Sequence, residues 1–224
     1  MQIQIKVHAS DKLALRDPDS SELGRNIVRH GVLLLHELGF EQFTFRKLAQ
    51  EIHTTEASIY RYFENKHRLL LYILTWYWHY LEYVVVFSIQ NIDDNALKIK
   101  KVVEILSNEP PAGFDQSGID EKVMYRIFID ESSKVYLTKE VGIINKEQLF
   151  KPYKDLCGFI ARLFQAYNPD YPFPRTLAST LLEMAHTQPY FKEHLPSLTD
   201  FGGEPASGRL GAFLEILVFS ALAR

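Results

Sequence analysis

Cysteine is nearly absent from this chain. Cys157 stands alone among 224 residues, so no internal disulfide can form and no cysteine-only zinc site can be assembled. It lies in the apolar run 156–164, where a small buried hydrophobe and a reactive thiol both remain open readings. Excess positive charge is missing too. With 25 Lys and Arg against 28 Asp and Glu the net charge is −3, and no global field draws the protein onto nucleic acid or an anionic membrane. Any contact with DNA must then come from a local surface. No stretch reaches the ~18 unbroken apolar residues of a membrane span, and residues 1–8 alternate instead of forming an apolar signal core. The expectation is a cytoplasmic protein with no membrane partner. The sequence contains no His-Glu-x-x-His, no glycine-rich phosphate loop and no Gly-x-Ser-x-Gly elbow, so neither an enzyme nor a bound cofactor or metal is expected. Glu183 and His186 do form a Glu-x-x-His pair on a helix, the spacing of di-iron bundles, but such a site needs a second pair. The other one, Glu64 with His67, straddles a helix start.

What is present is helix. At 46% hydrophobic and 24% charged the balance is that of a folded globular chain. Residues 1–20 stand apart as a leader, loosely docked or mobile: Ile3, Ile5 and Val7 alternate like a strand with nothing local to pair with, and Asp11, Asp17 and Asp19 offset Lys6, Lys12 and Arg16. From Ser21 the apolar period becomes three and four, through Leu23, Ile27, Leu34 and Leu38, with Ser20 or Ser21 as cap and Gly39 closing the helix. Thr44 caps a short helix 45–52, Thr55 another to about Tyr62, and Asn65 a long one from Lys66 to Ile89. Further helices are expected over 95–106, 119–131 (capped by Ser117), 141–166 (started or kinked at Pro152), 175–187 and 209–223. The fold class is all-α, with a DNA-binding domain over 21–67 and a second helical domain over 68–224.

Two short helices joined by about three residues, behind a longer supporting helix, form a helix-turn-helix pattern. Thr44 and Thr55 as caps leave backbone N–H groups at two helix starts to meet phosphates, where the helix dipole also favours an anion. Ala57 and Ser58 are small enough for close approach to base edges, and Tyr60, Arg61 and Tyr62 add two hydroxyls and a cation. Lys66, just past the Asn65 cap, directs a cation at the flanking backbone. Tyr60 and Tyr62 are equally readable as core aromatics, and Arg46 with Lys47 as a solvated face. Glu56 either accepts a hydrogen bond from a cytosine amino group or stabilises the helix start through its dipole. Between Leu23 and Leu71 the cations Arg25, Arg29, Arg46, Lys47, Arg61, Lys66 and Arg68 outnumber Glu37, Glu41, Glu51, Glu56 and Glu64 only seven to five.

The run Gly39-Phe40, Thr44-Phe45-Arg46-Lys47-Leu48-Ala49, Thr55-Glu56-Ala57-Ser58-Ile59-Tyr60-Arg61-Tyr62-Phe63-Glu64-Asn65-Lys66 and Leu69-Leu70 resembles the DNA-binding domain of the tetracycline-repressor (TetR) family. The stretch from Ile59 to Lys66 carries most of that likeness, which extends from Leu23 to Leu71. The resemblance implies a homodimeric regulator that binds a palindromic double-stranded operator, a repressor by family default, with a C-terminal domain that takes a small molecule. It implies phosphate contacts from Thr44 and Lys66, backbone contacts from Tyr60 and Tyr62, and a major-groove face made of Thr55, Glu56, Ala57, Ser58 and Arg61. His53 and Thr54 depart from it, standing where the family usually has a Gly-Val pair. A DNA-binding architectural protein that senses nothing is the alternative.

The long fourth helix is dense in aromatics, and Tyr72, Trp76, Tyr80, Tyr83 and Phe87 share one stripe. Such a stripe is read either as core or as the wall of a pocket. With Tyr125, Phe128 and Phe159 from later helices, Trp76, Tyr80 and Tyr83 make a candidate site for an apolar or aromatic ligand. The last helix is apolar nearly all round, with Glu215 its one charge between Arg209 and Arg224. A helix apolar on every face asks for burial on every face, either in its own domain or, together with 175–187, against a second copy.

Overall fold

A computed structural model describes residues 13–110, 120–139, 141–146, 148–202 and 208–223. The expected strand-like alternation at Ile3, Ile5 and Val7 and the expected cap Ser117 lie outside them. All regular structure among the described residues is helical, as the periodicity predicts. Contacts divide the chain into two compact units. One holds the residues up to Tyr80 with those between Pro111 and Pro152, and the other holds Leu81–Pro110 and Tyr153–Arg224.

The first unit begins with Leu13 and Ala14 buried and a 3-10 turn, Pro18–Ser20. This part of the expected loose leader is firmly placed: the Leu15 N–H donates to the Tyr62 carbonyl at 2.8 Å. Helix α1 (Glu22–Gln42) starts where the Ser21 hydroxyl accepts from the Gly24 N–H, and buries Ile27, Val32 and Leu35 at helical spacing. Gly24 is required by the turn before it, since a Cβ there would fall 2.2 Å from the Pro18 carbonyl oxygen. Gly39 bends α1 at φ +71°, a left-handed backbone that suits glycine, and one further turn carries the chain to Phe43.

Thr44 and Thr55 cap α2 (Phe45–Glu51) and α3 (Glu56–Tyr60) through N–H bonds from Lys47 and Ser58, each 3.2 Å. Between them His53 takes φ +52°. The Thr54 N–H reaches the Ala49 carbonyl at 2.9 Å and the His53 N–H the Gln50 carbonyl at 3.3 Å. That pair of bonds is a Schellman stop, made here with histidine where glycine is usual. The Asn65 carboxamide accepts from the Arg68 N–H at the start of α4 (Lys66–Ile89). An 18-residue window of α4 is long and apolar enough to cross a membrane, but 67% of it is buried within the protein, as in a core helix. Its residues as far as Tyr80 belong to the first unit. There α6 (Glu121–Glu131), capped by Asp120, packs on α1 and is followed by α7 (Ser133–Tyr136) and α8 (Val141–Lys146).

The second unit contains the rest of α4, α5 (Asn95–Ser107), the body of α9 (Lys151–Tyr167), α10 (Pro174–His194) and α11 (Arg209–Leu222). Pro152 sits at the second position of α9, where its missing N–H costs nothing. Helix α10 does not stop at Thr187 but runs through Pro189 to His194; the proline removes one backbone bond without ending the helix. Helix α11 packs on α5 and α10 and buries one stripe, Leu210, Leu214, Val218 and Leu222. Its opposite face is open, with Phe213 39% and Ile216 67% exposed. All-round burial within one chain is therefore not what the apolar composition of this helix means. Asn168 donates to the Leu222 carbonyl and holds the end of α11.

Candidate nucleic-acid interface and aromatic cluster

Helices α2 and α3 bury Phe45, Leu48, Ala49 and Ile59 and turn the remainder outward. Thr44, Arg46, Thr55, Glu56, Ala57, Tyr60 and Arg61 are all exposed, and Ser58 is half-buried. The Ser58 and Thr55 hydroxyls are 3.0 Å apart, so the start of α3 is internally bonded. Tyr60 is 49% exposed, with its ring edge-on to Phe45 at 5.0 Å. Its ring is thus anchored on α2 while part of its surface faces solvent.

Two of the residues expected to meet the DNA backbone are placed differently. Tyr62 is 2% exposed, and its hydroxyl lies 2.7 Å from the Ser21 hydroxyl. Its carbonyl takes the Leu15 N–H, and the Arg16 guanidinium lies over its ring at 5.4 Å. It fastens residues 13–21 to the reader. Lys66 sends its ammonium to the carbonyls of Phe40 (2.7 Å), Glu41 (3.2 Å) and Phe43 (3.2 Å), 4.4 Å from the Phe40 ring centroid. An ammonium has three donors, and these carbonyls occupy all of them. The side chain closes the end of α1, and a phosphate contact would require breaking that cap.

The same bend in α1 is held from a second direction, which the sequence does not announce. Glu131, on α6 and 5% exposed, accepts the Phe40 N–H at 2.8 Å and lies 2.6 Å from the Lys134 ammonium. The Lys134 carbonyl is 3.0 Å from His67 Nε2 on α4. Burial alone would lower the Lys134 pKa, but the hydrogen bond and charge of Glu131, with Glu41 beyond, raise it. Phe40 is thus gripped from α4 and α6 together.

Four of the six expected ligand-site residues belong to the first unit. Trp76 stacks on Tyr80 with ring centroids 6.0 Å apart, and Tyr77 joins Tyr80 (6.2 Å) to Phe128 (4.6 Å). Tyr125 is buried and acts electrostatically on Tyr77, whose pKa is raised chiefly by burial. Burial and then the charge of Glu121 push the Tyr80 phenol up to about 12. Glu121, a buried carboxylate, was not among the expected residues. The other two belong to the second unit, where Tyr83 stacks on Phe87 and Phe159 lies under the Arg162 guanidinium. There too Glu183 accepts the Tyr153 hydroxyl at 2.6 Å, and His186 is buried with its pKa lowered by that burial to about 3. No group of three metal-binding side chains occurs among the described residues.

Residues 27–73 match the family described as bacterial regulatory proteins, tetR family. No curated protein matches the chain. Among solved structures it is similar to AibR in complex with isovaleryl coenzyme A and operator DNA, at TM-score 0.55 and 16% identity over 87% of this chain and 98% of that one. It is similar to the superantigen PfiT at TM-score 0.54 and 15% identity, covering 93% and 97% of the two chains. A TetR-family transcriptional regulator from Pectobacterium atrosepticum gives TM-score 0.51 and 13% identity, covering 93% and 94%. At such identities the likeness is one of fold. The local match over α1 to α4 is what points to a family: residues 27–73 are similar to the tetR family of bacterial regulatory proteins.

Proposed function

We propose that this protein is a cytoplasmic, ligand-responsive transcriptional repressor that binds a palindromic operator as a homodimer and performs no catalysis. The observation that carries the reading is the outward face of α2 and α3, where Thr44, Arg46, Thr55, Glu56, Ala57, Tyr60 and Arg61 stand exposed together. Thr44 and Thr55 with their helix starts meet phosphates, and Glu56, Ala57, Ser58 and Arg61 face base edges. Tyr62 and Lys66 keep that face in position. The exposed apolar face of α11 around Phe213 and Ile216 supports a second copy as its cover. Ligand binding is supported by the aromatic cluster on α4 and α6, and by AibR, a protein of similar fold seen with both a coenzyme A ester and operator DNA. Helix α6 carries Tyr125 and Phe128 along its length and Glu131 at its end, where it holds Phe40. A ligand that shifts α6 thus shifts the reader. Capture of genomic fragments on the purified protein tests this reading. Discrete fragments that are released by a small-molecule extract of the host are expected, and indiscriminate capture would refute it.

A further inference from the structure

Residues 13–21 form a strap that is built into the reader. Leu13 and Ala14 are 2% and 7% exposed, and Pro18 is buried. The Asp17 carboxylate accepts the Asp19 N–H at 2.9 Å, and the Ser20 hydroxyl donates to the Asp17 carbonyl at 2.6 Å, which closes the turn Pro18–Ser20. From α1 the Arg25 guanidinium reaches back to the Asp19 carbonyl at 2.8 Å. Gly24 lets the turn lie directly on the helix, since a Cβ there would also fall 2.7 Å from the Pro18 Cα. The strap lies outside residues 27–73, so it is an addition to the matched domain.

What the strap holds is the exit of α3. This helix has five residues, too few to fix its own direction through internal hydrogen bonds, so packing at its ends sets that direction. At its far end the Tyr62 and Phe63 N–H groups both donate to the Ile59 carbonyl, at 2.8 and 3.1 Å. The Tyr62 carbonyl then takes the Leu15 N–H, its ring takes the Arg16 guanidinium, and its hydroxyl meets that of Ser21, the cap of α1. All three ties come from residues 15–21.

We propose that residues 13–21 are a positioning element of the reader: through Tyr62 they set the direction in which α3 is presented, and with it the discrimination between DNA sequences. Attraction to DNA in general is not their role, because the exposed Arg16 is offset by the exposed Asp17 and Asp19. Base contacts are directional and depend on where α3 points, whereas charge attraction to the phosphates tolerates displacement. The inference rests on the DNA-binding reading above and deepens it, since it moves the start of the functional reader from α1 back to Leu13.

The test uses the full chain, a duplex that the parent selects from a random pool, and an unrelated duplex of the same length. Gly24→Ala drives a methyl group against the Pro18 backbone, which cannot give way without moving the strap. Tyr62→Phe removes the bond to Ser21 alone and leaves the ring in place. Both changes are neutral, so the salt dependence of binding should stay that of the parent. The Leu15 amide should exchange with deuterium faster in Gly24→Ala. Affinity for the selected duplex should fall on the order of tenfold in that variant, the worth of about one good base contact, and less in Tyr62→Phe. The unrelated duplex should bind as before. Unaltered affinity for the selected duplex in both variants, or an equal loss on both duplexes, would overturn the inference. So would faster exchange at Leu15 with unaltered selectivity, since the strap would then only stabilise the fold. Should Gly24→Ala not fold, the selectivity of Tyr62→Phe decides alone. A parent that selects no duplex would sink the regulator reading and the inference together, whereas selective variants beside a selective parent would sink the inference alone.

Discussion

The grip of Glu131 on Phe40 offers the sharpest perturbation of the route from α6 to the reader. Glu131→Ala removes a charged acceptor from a backbone N–H at 2.8 Å, an interaction of about 1.5–3 kcal/mol. It also removes the ion pair to Lys134, whose side chain is 34% exposed; solvent screening limits that to at most about 1 kcal/mol. The expected loss of stability is therefore about 2–4 kcal/mol. Glu131→Gln keeps an oxygen for the N–H but not the charge, and should lose about half as much. Urea denaturation of the parent and both variants gives the order directly. A second readout separates coupling from stability: the factor by which ligand weakens operator binding should shrink in both variants, even where the free protein is fully folded. Were Glu131→Ala within 0.5 kcal/mol of the parent, or the ligand effect on operator affinity unchanged, the reasoning would be refuted.

Three further outcomes are expected. Lys66→Ala should reduce stability while leaving the salt dependence of operator binding unaltered, because its ammonium caps α1, whereas Arg61→Ala should flatten that dependence by about one unit per half-site if it meets phosphate, or cost ~1–3 kcal/mol at one base position if it reads guanine; salt titrations and site selections on both variants decide. Ile216→Glu, at a side chain 67% exposed on α11, should leave the helical circular-dichroism signal intact and halve the mass seen by analytical ultracentrifugation; an unmutated protein that is monomeric at micromolar concentration would contradict the dimer. His186 has its pKa lowered to about 3, so the folded state binds fewer protons than the unfolded state below pH ~6.5. Its contribution is whole above that pH and falls by about 1.4 kcal/mol per unit on acidification towards 3, and His186→Gln should lack this component between pH 7 and 5.

The elements that were legible in the sequence are those whose signals are local. Thr44, Thr55 and Asn65 each bond an N–H three residues on, and the apolar period behind them is helical, so α1 to α4 follow from short-range chemistry. Lys66 is not legible, because a lysine beside a helix start gives no sign that its ammonium will reach carbonyls 23 to 26 residues earlier. Glu131 meets Phe40 across 91 residues, and no period encodes that contact or the grouping of α6 to α8 with the reader. Composition misleads in α11, where apolar residues on every side predict burial on every side although only the stripe Leu210, Leu214, Val218 and Leu222 is fully buried. The burial of Glu121 is not legible either, because a glutamate early in a helix is ordinarily solvated.

Selection from a pool of random duplexes on the purified parent protein tests the central claim most directly. The proposed dimer would bring two copies of α3, related by a two-fold axis, into successive major grooves, so a palindromic or near-palindromic motif with half-sites about one helical turn apart should be enriched. Its conserved positions should change when Arg61 or Glu56 is replaced and persist when Lys66 is replaced. An enriched motif without two-fold symmetry, or no enrichment, would contradict the account.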